Sequence, residues 1–577
     1  MFFIVYFLYF FILNRYILIF QEQNQLFRFS KTYFLDFLSA PGGISEYTGA
    51  FLTQFFLFPP AGPLILTLTG FAAFALSYYI LKIKGIKGLF YSLVPVLLLA
   101  GLHSHYLYKI ASSTGFILSL GYFALYISPG SIKSRYLMLI IGWPVLFYIS
   151  GSYAFLASIL CLIHELLYNK GRSRFLTSAL IIILACTAQY LFSNIIFFMS
   201  SDSNHIYLIP VFSKSSFKYI LILLLIYFPL ILVIKNLIPG ELKIKGKVLI
   251  PEGSLKSLLA GIFLIIILSG ILFRTAYNRK TEILLGMDHY IQCSEWQKVL
   301  DLSSVFPDTN RLVMYFTNLS LYNTGQMGDN LFKYPQAGSS GLRLDWKPNG
   351  STAFFGCGLF YQLGSTNEAY RWAFEAMVAI GPNPRSMKIM AATCLINDEL
   401  PLAGKYLRLL NQSLFYRKWA QQYGKMLSDT YLIDSDPVLA KNRTLLVHSD
   451  FFAANLNLYA LLVNYPENKM AYDYLLASLL LDRNLKGFSR VITDISNYNY
   501  KKLPVSYEEA LIFYSSFEKQ NFIPEGFSLS QETIEKFRNY AETFSRYSDT
   551  PSLLEKELKL KYGSTYWYYL HKGNTDF

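Results

Sequence analysis

The sequence predicts an all-α protein in which a polytopic bundle of about nine transmembrane helices is followed by a soluble helical domain. Hydrophobic residues make up 53% of the 577 residues and charged residues only 15%, against about 25% charge in a typical soluble protein. Long apolar runs fill the chain up to Arg274, and no later run approaches the ~20 residues that cross a bilayer as a helix. Beyond that point helical periodicity continues with few strand signals.

The apolar runs define a membrane domain over residues 1–275. The fifth and sixth runs are separated only by Ser150, Gly151 and Ser152, which predicts a tight helical hairpin, and one long buried segment is the alternative. The first run lacks a preceding basic segment and a following small-residue cleavage site, which predicts an uncleaved helix, with Asn14 and Arg15 disturbing its outer third. The candidate spans are residues 2–20, 61–81, 89–107, 111–127, 136–149, 153–167, 176–199, 217–234 and 258–273.

Positive charge is concentrated in the membrane domain. Up to Arg274 there are 20 Lys/Arg and 7 Asp/Glu, whereas the remaining 31 and 30 nearly balance. The basic residues favour alternate loops, provided that the hairpin crosses twice, and this pattern predicts a cytoplasmic N-terminus and a second half outside the cytoplasm. The net charge of +14 therefore indicates topology. Nucleic acid is not expected as a partner, because the second half has no basic patch.

The longest outer loop of the membrane domain, residues 21–60, carries the candidate catalytic residues Asp36 and Glu46. Pro41-Gly42-Gly43 predicts a turn. An amphipathic helix follows and stops at Pro59-Pro60; it either lies in the membrane interface or simply leads into the second span.

Three histidines on the same predicted side are candidate substrate-binding residues. His103 and His105 lie at the outer end of the third span, and His205 follows the seventh. Carboxylates and imidazoles that converge at one surface can serve as general bases or metal ligands. The alternative is that they are solvated loop residues. His164 and Glu165 are expected to form an interfacial ion pair.

Residues 276–577 predict a helical-repeat domain. Three stretches share one plan and begin with proline turns at Pro307, Pro382 and Pro466. In each stretch the turn is followed by a helix, by a short polar break about 17 residues after the turn, and by a second helix. This plan resembles tetratricopeptide repeats with irregular spacing, which usually offer a concave face to a partner. The alternative is a scaffold without a ligand. Residues 324–352 interrupt the plan as a long loop.

The five cysteines are not spaced as a metal site. Cys161 and Cys186 lie in apolar runs. The pairing of Cys293, Cys357 and Cys394 stays open.

Two resemblances extend this interpretation. The segments PGGISEY (41–47), FLTQFF (51–56) and NEAYRW (367–372) resemble a family of polytopic proteins of unknown function from Bacteroidota. The likeness covers the whole chain and implies a bacterial inner membrane, a periplasmic second half and no known activity.

The layout also resembles the GT-C class of glycosyltransferases, which act on polyprenyl-phosphate-linked sugars. That resemblance implies that Asp36 or Glu46 acts as base or as ligand to a divalent metal ion, although the first loop lacks an Asp-x-Asp or Asp-Glu pair. The first functional hypothesis is a membrane enzyme that builds or modifies a cell-envelope glycan or lipid, with the helical-repeat domain recruiting an acceptor or partner. The alternative is a non-enzymatic scaffold that binds envelope proteins. A transporter ranks third.

Overall fold

The computed structural model describes residues 1–83, 85–128, 131–169, 171, 173–197, 207–237, 243–244, 247–248, 255–347, 350–446, 457–518 and 522–572. The all-α prediction is confirmed for these residues, apart from a two-residue antiparallel ladder between Lys243–Ile244 and Lys247–Val248. The chain divides into two compact units. The first comprises Met1–Glu282 with Gln412–Phe415, and the second comprises Ile283–Asn411 with Tyr416–Phe577.

The first unit is built from apolar helices and two short helices of the first loop. Three of the apolar helices contain a π-helical turn, at Tyr9–Leu13, Met138–Gly142 and Leu191–Ile196, and a 3-10 turn spans Gln54–Leu57. The α-helices are α1 Phe2–Leu8, α2 Arg15–Gln23, α3 Lys31–Leu38, α4 Gly43–Thr53, α5 Ala61–Leu81, α6 Gly85–His103, α7 Ile110–Tyr126, α8 Ile132–Leu137, α9 Trp143–Ser150, α10 Tyr153–Tyr168, α11 Ser173–Tyr190, α12 Ser215–Leu237 and α13 Leu255–Ala276.

Four helices are long and apolar enough to cross a bilayer, counting only the described residues. A fifth candidate is the pair Phe2–Leu13 and Arg15–Gln23, which is bent by 67° at Asn14, so the first span is not the continuous helix that the sequence predicts. Four further apolar helices are shorter: Lys87–His103, Ile110–Tyr126, Tyr153–Tyr168 and Ser173–Ala188. The four long helices are Ala61–Leu81, Ile132–Ser150, Ser215–Asn236 and Leu258–Ala276.

The fifth and sixth apolar runs form separate helices that fold back on each other. Gly151 lies between α9 and α10 with φ of +56°, a left-handed conformation that glycine adopts without steric cost. Trp143 Nε1 donates a hydrogen bond of 2.7 Å to Ser158 Oγ, and the Phe147 and Phe155 rings pack 5.7 Å apart. These pairs are placed symmetrically about Gly151, so the chain reverses direction there and the single long segment is excluded.

The second unit consists of consecutive helices, many of them joined by short turns. Four 3-10 turns lie at Leu331–Lys333, Ser339–Leu342, Lys425–Leu427 and Ile492–Tyr498. The helix α14 Arg279–Gln292 begins in the first unit. The others are α15 Trp296–Ser304, α16 Arg311–Asn323, α17 Met327–Asn330, α18 Ser351–Gln362, α19 Thr366–Ile380, α20 Pro384–Ile396, α21 Leu400–Asn411, α22 Arg417–Gly424, α23 Tyr431–Ser435, α24 Pro437–Thr444, α25 Leu458–Asn464, α26 Lys469–Leu481, α27 Leu485–Val491, α28 Val505–Glu518, α29 Gln531–Tyr547, α30 Pro551–Tyr562 and α31 Tyr566–Lys572.

The three predicted helix starts coincide with asparagine caps. The side-chain oxygens of Asn310, Asn383 and Asn468 accept backbone N–H groups at the starts of α16, α20 and α26, which satisfies donors that the first helical turn leaves unpaired. Residues 324–352 contain α17 and two of the 3-10 turns. Within this stretch Gln336 is buried and exchanges side-chain hydrogen bonds of 2.9 and 3.1 Å with Asn318.

One turn geometry recurs between successive helices of the second unit. It joins α14 to α15, α16 to α17, α18 to α19, α20 to α21 and α26 to α27. In each case one residue has a positive φ, and the backbone N–H of the next residue donates to the carbonyl five positions before that next residue. This is the Schellman helix ending. The positive-φ residues are Ser294, Gly325, Gly364, Asp398 and Arg483.

Candidate functional site

The first loop folds around an aromatic cluster, which we define as Phe27, Tyr33, Phe37, Tyr47 and Phe51. Phe27 is buried, and its ring lies 5.1 to 5.5 Å from those of Tyr33, Tyr47 and Phe51. Phe37 packs on Tyr33 at 4.9 Å. These edge-on and tilted contacts join α3 to α4 and fix the helices that carry the two candidate carboxylates.

Asp36 and Glu46 lie on exposed positions of α3 and α4. Among the residues that the structure describes, neither carboxylate takes part in a hydrogen bond or an ion pair. Burial raises the pKa of Tyr33 to about 12, the nearby Arg28 opposes the rise, and Tyr47, Glu46 and Asp36 add to it. The guanidinium of Arg28 sits 4.7 Å from the centre of the Tyr33 ring.

The predicted turn at Pro41-Gly42-Gly43 anchors this loop within the first unit. Gly42 has φ of +86°, and its backbone N–H donates a 2.8 Å hydrogen bond to the carbonyl of Tyr148. A Cβ at Gly42 would lie 2.8 Å from Leu208 Cδ1. Ser45 Oγ donates to the carbonyl of Ile149 at 2.8 Å. The start of α4 is therefore held against the end of α9.

His103 and His105 have packing partners of their own. His103 is buried at the end of α6, with Nε2 2.9 Å from Ser113 Oγ and its ring 4.8 Å from that of Tyr108. The His105 ring packs edge-on against Phe217 at 4.4 Å, and its Nδ1 accepts the backbone N–H of Leu107 at 3.2 Å. In the described part of the chain, no hydrogen bond or ion pair joins either imidazole to Asp36 or Glu46.

The remaining predictions for this face concern His205 and a metal ion. His205 lies outside the described residues. Among the residues that are described, no group of three or more His, Cys, Asp and Glu side chains is placed to hold a metal ion. All five cysteines are free thiols, and Cys161, Cys357 and Cys394 are buried.

Glu165 is more than the partner of one histidine. Its buried carboxylate accepts hydrogen bonds from Tyr126, Arg135, Asn169 and Thr177 at 2.7 to 3.2 Å. His164 Nδ1 lies 3.8 Å from the same carboxylate. The network joins α7, α8, α10 and α11, so its role in the structure is to hold helix ends together.

A buried carboxyl that sequence reasoning missed lies at the bend of the first helix. Glu282 Oε1 and Oε2 accept the backbone N–H groups of Tyr16 at 2.7 Å and Ile17 at 3.2 Å. Burial raises the pKa of Glu282 to about 8, against the hydrogen bonds from these amides and the charge of Arg15. Asn14 is fully buried at the bend.

A second missed feature is a pocket of about 150 Å³ in the second unit. Its floor is buried and holds an ion pair: Arg385 Nη2 donates to Asp288 Oδ2 at 2.6 Å. Arg385 Nη1 donates to the carbonyl of Phe354 at 3.2 Å, and the guanidinium lies 4.0 Å from the centre of the Phe354 ring. Its buried Nε–H makes no hydrogen bond within the part of the chain that the structure describes. Tyr315, Phe316 and Leu319 complete the floor.

The mouth of the pocket mixes apolar and amide side chains, from Ile291, Gln292, Phe355, Tyr361, Gln362 and Ile389. Gly358 also lines it, in the middle of α18. A Cβ at Gly358 would meet no atom within 4 Å, whereas a Cβ at the neighbouring Gly356 would lie 2.6 Å from the Trp372 ring. Packing within the chain therefore explains Gly356 and leaves the space beside Gly358 open.

The sequence carries a faint signal for this pocket. Glycine in a helix interior costs about 1 kcal/mol relative to alanine, so the pair Gly356 and Gly358 marks α18 as a helix with a special surface. Asp288 and Arg385 are 97 positions apart, and no local pattern links them.

These features define a helical protein with several helices apolar and long enough to span a membrane, joined to a unit of consecutive helix pairs. The chain belongs to a protein family of unknown function (DUF6057), whose match covers residues 1–573. The predicted membership of a family without an assigned activity is thereby confirmed. No curated protein and no solved structure matches the chain.

Proposed function

We propose that the protein is a multi-pass protein of a bacterial inner membrane whose second unit, a tetratricopeptide-like array, binds a partner on the periplasmic side. The observation that carries this proposal is which helices contribute the residues that line the pocket. Every lining residue comes from α14, α16, α18 or α20, the first helices of four successive pairs. Helical-repeat proteins form extended concave binding surfaces from their stacked repeats.

The recurring turns support the repeat interpretation. The first four Schellman endings follow one another roughly 30 to 40 residues apart, within the range of helix-pair repeats. Small residues lie at close packing points: Ala391, Ala392, Ala403 and Gly404 in α20 and α21, and Ala471 and Ala477 in α26. An array of this kind needs no catalytic residue to function.

The proposed topology has nine spans, with the N-terminus in the cytoplasm and the second unit outside. The four shorter apolar helices supply the additional crossings, and the alternating Lys/Arg loops give the direction. The test is labelling with a membrane-impermeant maleimide in intact cells, at cysteines placed at Lys82 and Ser339 after removal of the exposed Cys186 and Cys293. Only the Ser339→Cys variant should react. Reaction of both from outside would contradict nine spans.

Partner binding is tested by photo-crosslinking in the native host. A benzophenone amino acid at Gln292, at the pocket mouth, should give a discrete adduct, and the same group at the exposed Val378 of α19 should not. The adduct should disappear when Gly358→Leu is added. An absent adduct, or one that persists with Gly358→Leu, would argue against a partner at this pocket.

The second candidate is transfer of a sugar from a polyprenyl-phosphate carrier. What favours it is the pair of exposed carboxylates Asp36 and Glu46 beside exposed apolar side chains of the same loop, among them Phe34, Leu35 and Phe58. Such side chains suit a loop in contact with a lipid interface. Asp36→Asn and Glu46→Gln should each abolish an envelope glycan at unchanged protein level. Wild-type behaviour of both variants would leave this function without a base.

A further inference from the structure

We propose that the pocket in the second unit binds a single neutral aromatic side chain that carries a hydrogen-bond acceptor, as tyrosine does, presented by the partner polypeptide. The inference rests on the proposed function and adds the chemistry of the group that is recognised. Four properties of the pocket lead to it: its volume, its walls, its buried donor and its charge balance.

The volume fits one ring. A cavity of about 150 Å³ has the volume of an engineered cavity that binds benzene, and it is smaller than the pockets of about 300 Å³ or more that hold drug-sized ligands. The group that enters is therefore a side chain or a fragment of similar size. A partner chain would lie across the mouth and insert one residue.

The walls favour an aromatic body. Phe316 and Leu319 are buried in the floor, and Ile291, Phe355 and Ile389 are partly buried around the opening. Aromatic rings pack edge-on or offset against such surfaces and gain more than their buried area alone provides. An extended polar side chain would lose its hydrogen bonds to water, and most of the wall offers no hydrogen-bonding group to replace them.

The floor supplies a donor in the Nε–H of Arg385. Arg385 donates from Nη1 to the carbonyl of Phe354 and from Nη2 to Asp288, while its buried Nε–H has no hydrogen-bond partner among the described residues. A buried donor that lacks a partner is costly, and a ligand oxygen within reach removes this cost. The phenol oxygen of tyrosine is such an acceptor at the tip of a ring.

The charges in the floor of the pocket exclude a ligand side chain that ends in a charged group. The guanidinium of Arg385 and the carboxylate of Asp288 are 2.6 Å apart and nearly inaccessible to solvent. A cation entering the floor would face Arg385, and an anion would face Asp288, so each would meet a like charge in a poorly solvated site. A neutral acceptor meets neither penalty.

Gly358 provides the room for the ring. It lies in mid-helix, and outside the backbone of its own helix no described atom lies within 4 Å of a Cβ position, so packing among the described residues does not require glycine there. A larger residue at this position would occupy the pocket without displacing a neighbour. That property makes Gly358 the position of choice for a blocking substitution.

The test uses the full chain in lipid nanodiscs and the matched probes N-acetyl-tyrosinamide and N-acetyl-phenylalaninamide, which differ by one hydroxyl. Ligand-observed NMR titration, with empty nanodiscs as the blank, should show tyrosinamide binding at least about tenfold tighter. Gly358→Leu should abolish the binding. Gly424→Leu is the control, because Gly424 lies in a helix of the same unit, lines no part of this pocket and has an equally open Cβ position.

Arg385→Lys provides a second variant that keeps the positive charge beside Asp288 but removes the Nε–H. It should retain the fold and bring the two probe affinities within about twofold of each other. Equal affinities in the wild type, or tyrosinamide binding that survives Gly358→Leu, would overturn the inference. Preferential binding of methyl β-glucopyranoside would overturn it in favour of a sugar.

The proposed function and this inference fail in distinguishable ways. If Gly358→Leu removes the Gln292 crosslink while neither amide probe distinguishes tyrosine from phenylalanine, a partner binds at the pocket and the tyrosine assignment is wrong. If the crosslink is absent as well, the partner-binding function itself is wrong.

Discussion

Glu282 accepts a 2.7 Å hydrogen bond from the backbone amide of Tyr16, a residue 266 positions earlier in the chain. Its second oxygen accepts from Ile17, so one carboxyl caps the N-terminus of α2 where the first helix bends. The unpaired amides at a helix start carry partial positive charge and favour an acidic partner. A residue just after the last apolar helix thus stabilises the bend in the first.

This cap should make stability depend on pH. The pKa of Glu282 rises from 4.5 to about 8 on folding, so between these values the folded state holds a proton that the unfolded state has released. Stability is then greatest below pH 4.5 and falls as pH rises to about 8, by up to roughly 5 kcal/mol. Thermal unfolding in detergent at pH 5 and pH 9 measures the difference.

Glu282→Gln should flatten that pH profile, because the amide cannot ionise. Glu46→Gln is the control: Glu46 is exposed, so its variant should keep the wild-type slope. Parallel profiles for wild type and Glu282→Gln would show that another group carries the pH dependence.

The Arg385–Asp288 pair should be sensitive to loss of one partner. Arg385→Ala leaves the buried Asp288 uncompensated, and we expect a loss of about 3 to 5 kcal/mol in the free energy of unfolding. Denaturant titration followed by tryptophan fluorescence measures it. Arg311→Ala breaks an exposed pair with Asp345 and should cost under about 1 kcal/mol. Equal losses in the free energy of unfolding for the two variants would mean that burial of the Arg385–Asp288 pair does not increase the cost of removing one partner.

The two glycines of α18 should respond to alanine with opposite signs. Gly358→Ala adds a methyl group in open space and should stabilise the helix by about 0.5 to 1 kcal/mol. Gly356→Ala places Cβ 2.6 Å from the Trp372 ring and should destabilise by about 1 to 3 kcal/mol. The same denaturant titration tests both. Destabilisation by Gly358→Ala would contradict the open space assigned to it.

Gly42→Ala should loosen the first loop. The residue has φ of +86°, and its new Cβ would press on Leu208, so we expect a cost of about 2 to 4 kcal/mol from backbone strain and overpacking together. Limited proteolysis should cut residues 21–60 faster in this variant. Gly121→Ala in α7 meets no neighbouring atom and should be cut at the wild-type rate, which separates loop anchoring from a general effect of alanine.

Local signals predicted those parts of the fold that depend on neighbours in sequence. The turns at Pro307, Pro382 and Pro466 precede helices with asparagine caps, because the cap and the helix it serves lie within four residues. The reversal at Gly151 followed from the shortness of two apolar runs. Such features need no tertiary contact to be recognised.

Features that depend on distant partners were not predictable. Asn14 and Arg15 hinted at a disturbance, but the bend is capped by Glu282 from beyond the last apolar helix. The pocket floor likewise joins Asp288 to Arg385 across the helix pairs between them. For Asp36 and Glu46 the sequence located the loop, while their exposure depends on how the aromatic cluster packs.

The bend at Asn14 has a consequence for the surrounding lipid. The arm Phe2–Leu13 is about 18 Å long, and the arm Arg15–Gln23, turned by 67°, adds only about 5 Å along the same axis. Together they fall several ångströms short of a hydrocarbon layer of about 30 Å. In the topology proposed above, acyl chains beside this pair would have to shorten or disorder to avoid hydrophobic mismatch, and we predict a locally thinned bilayer at the N-terminal edge of the protein.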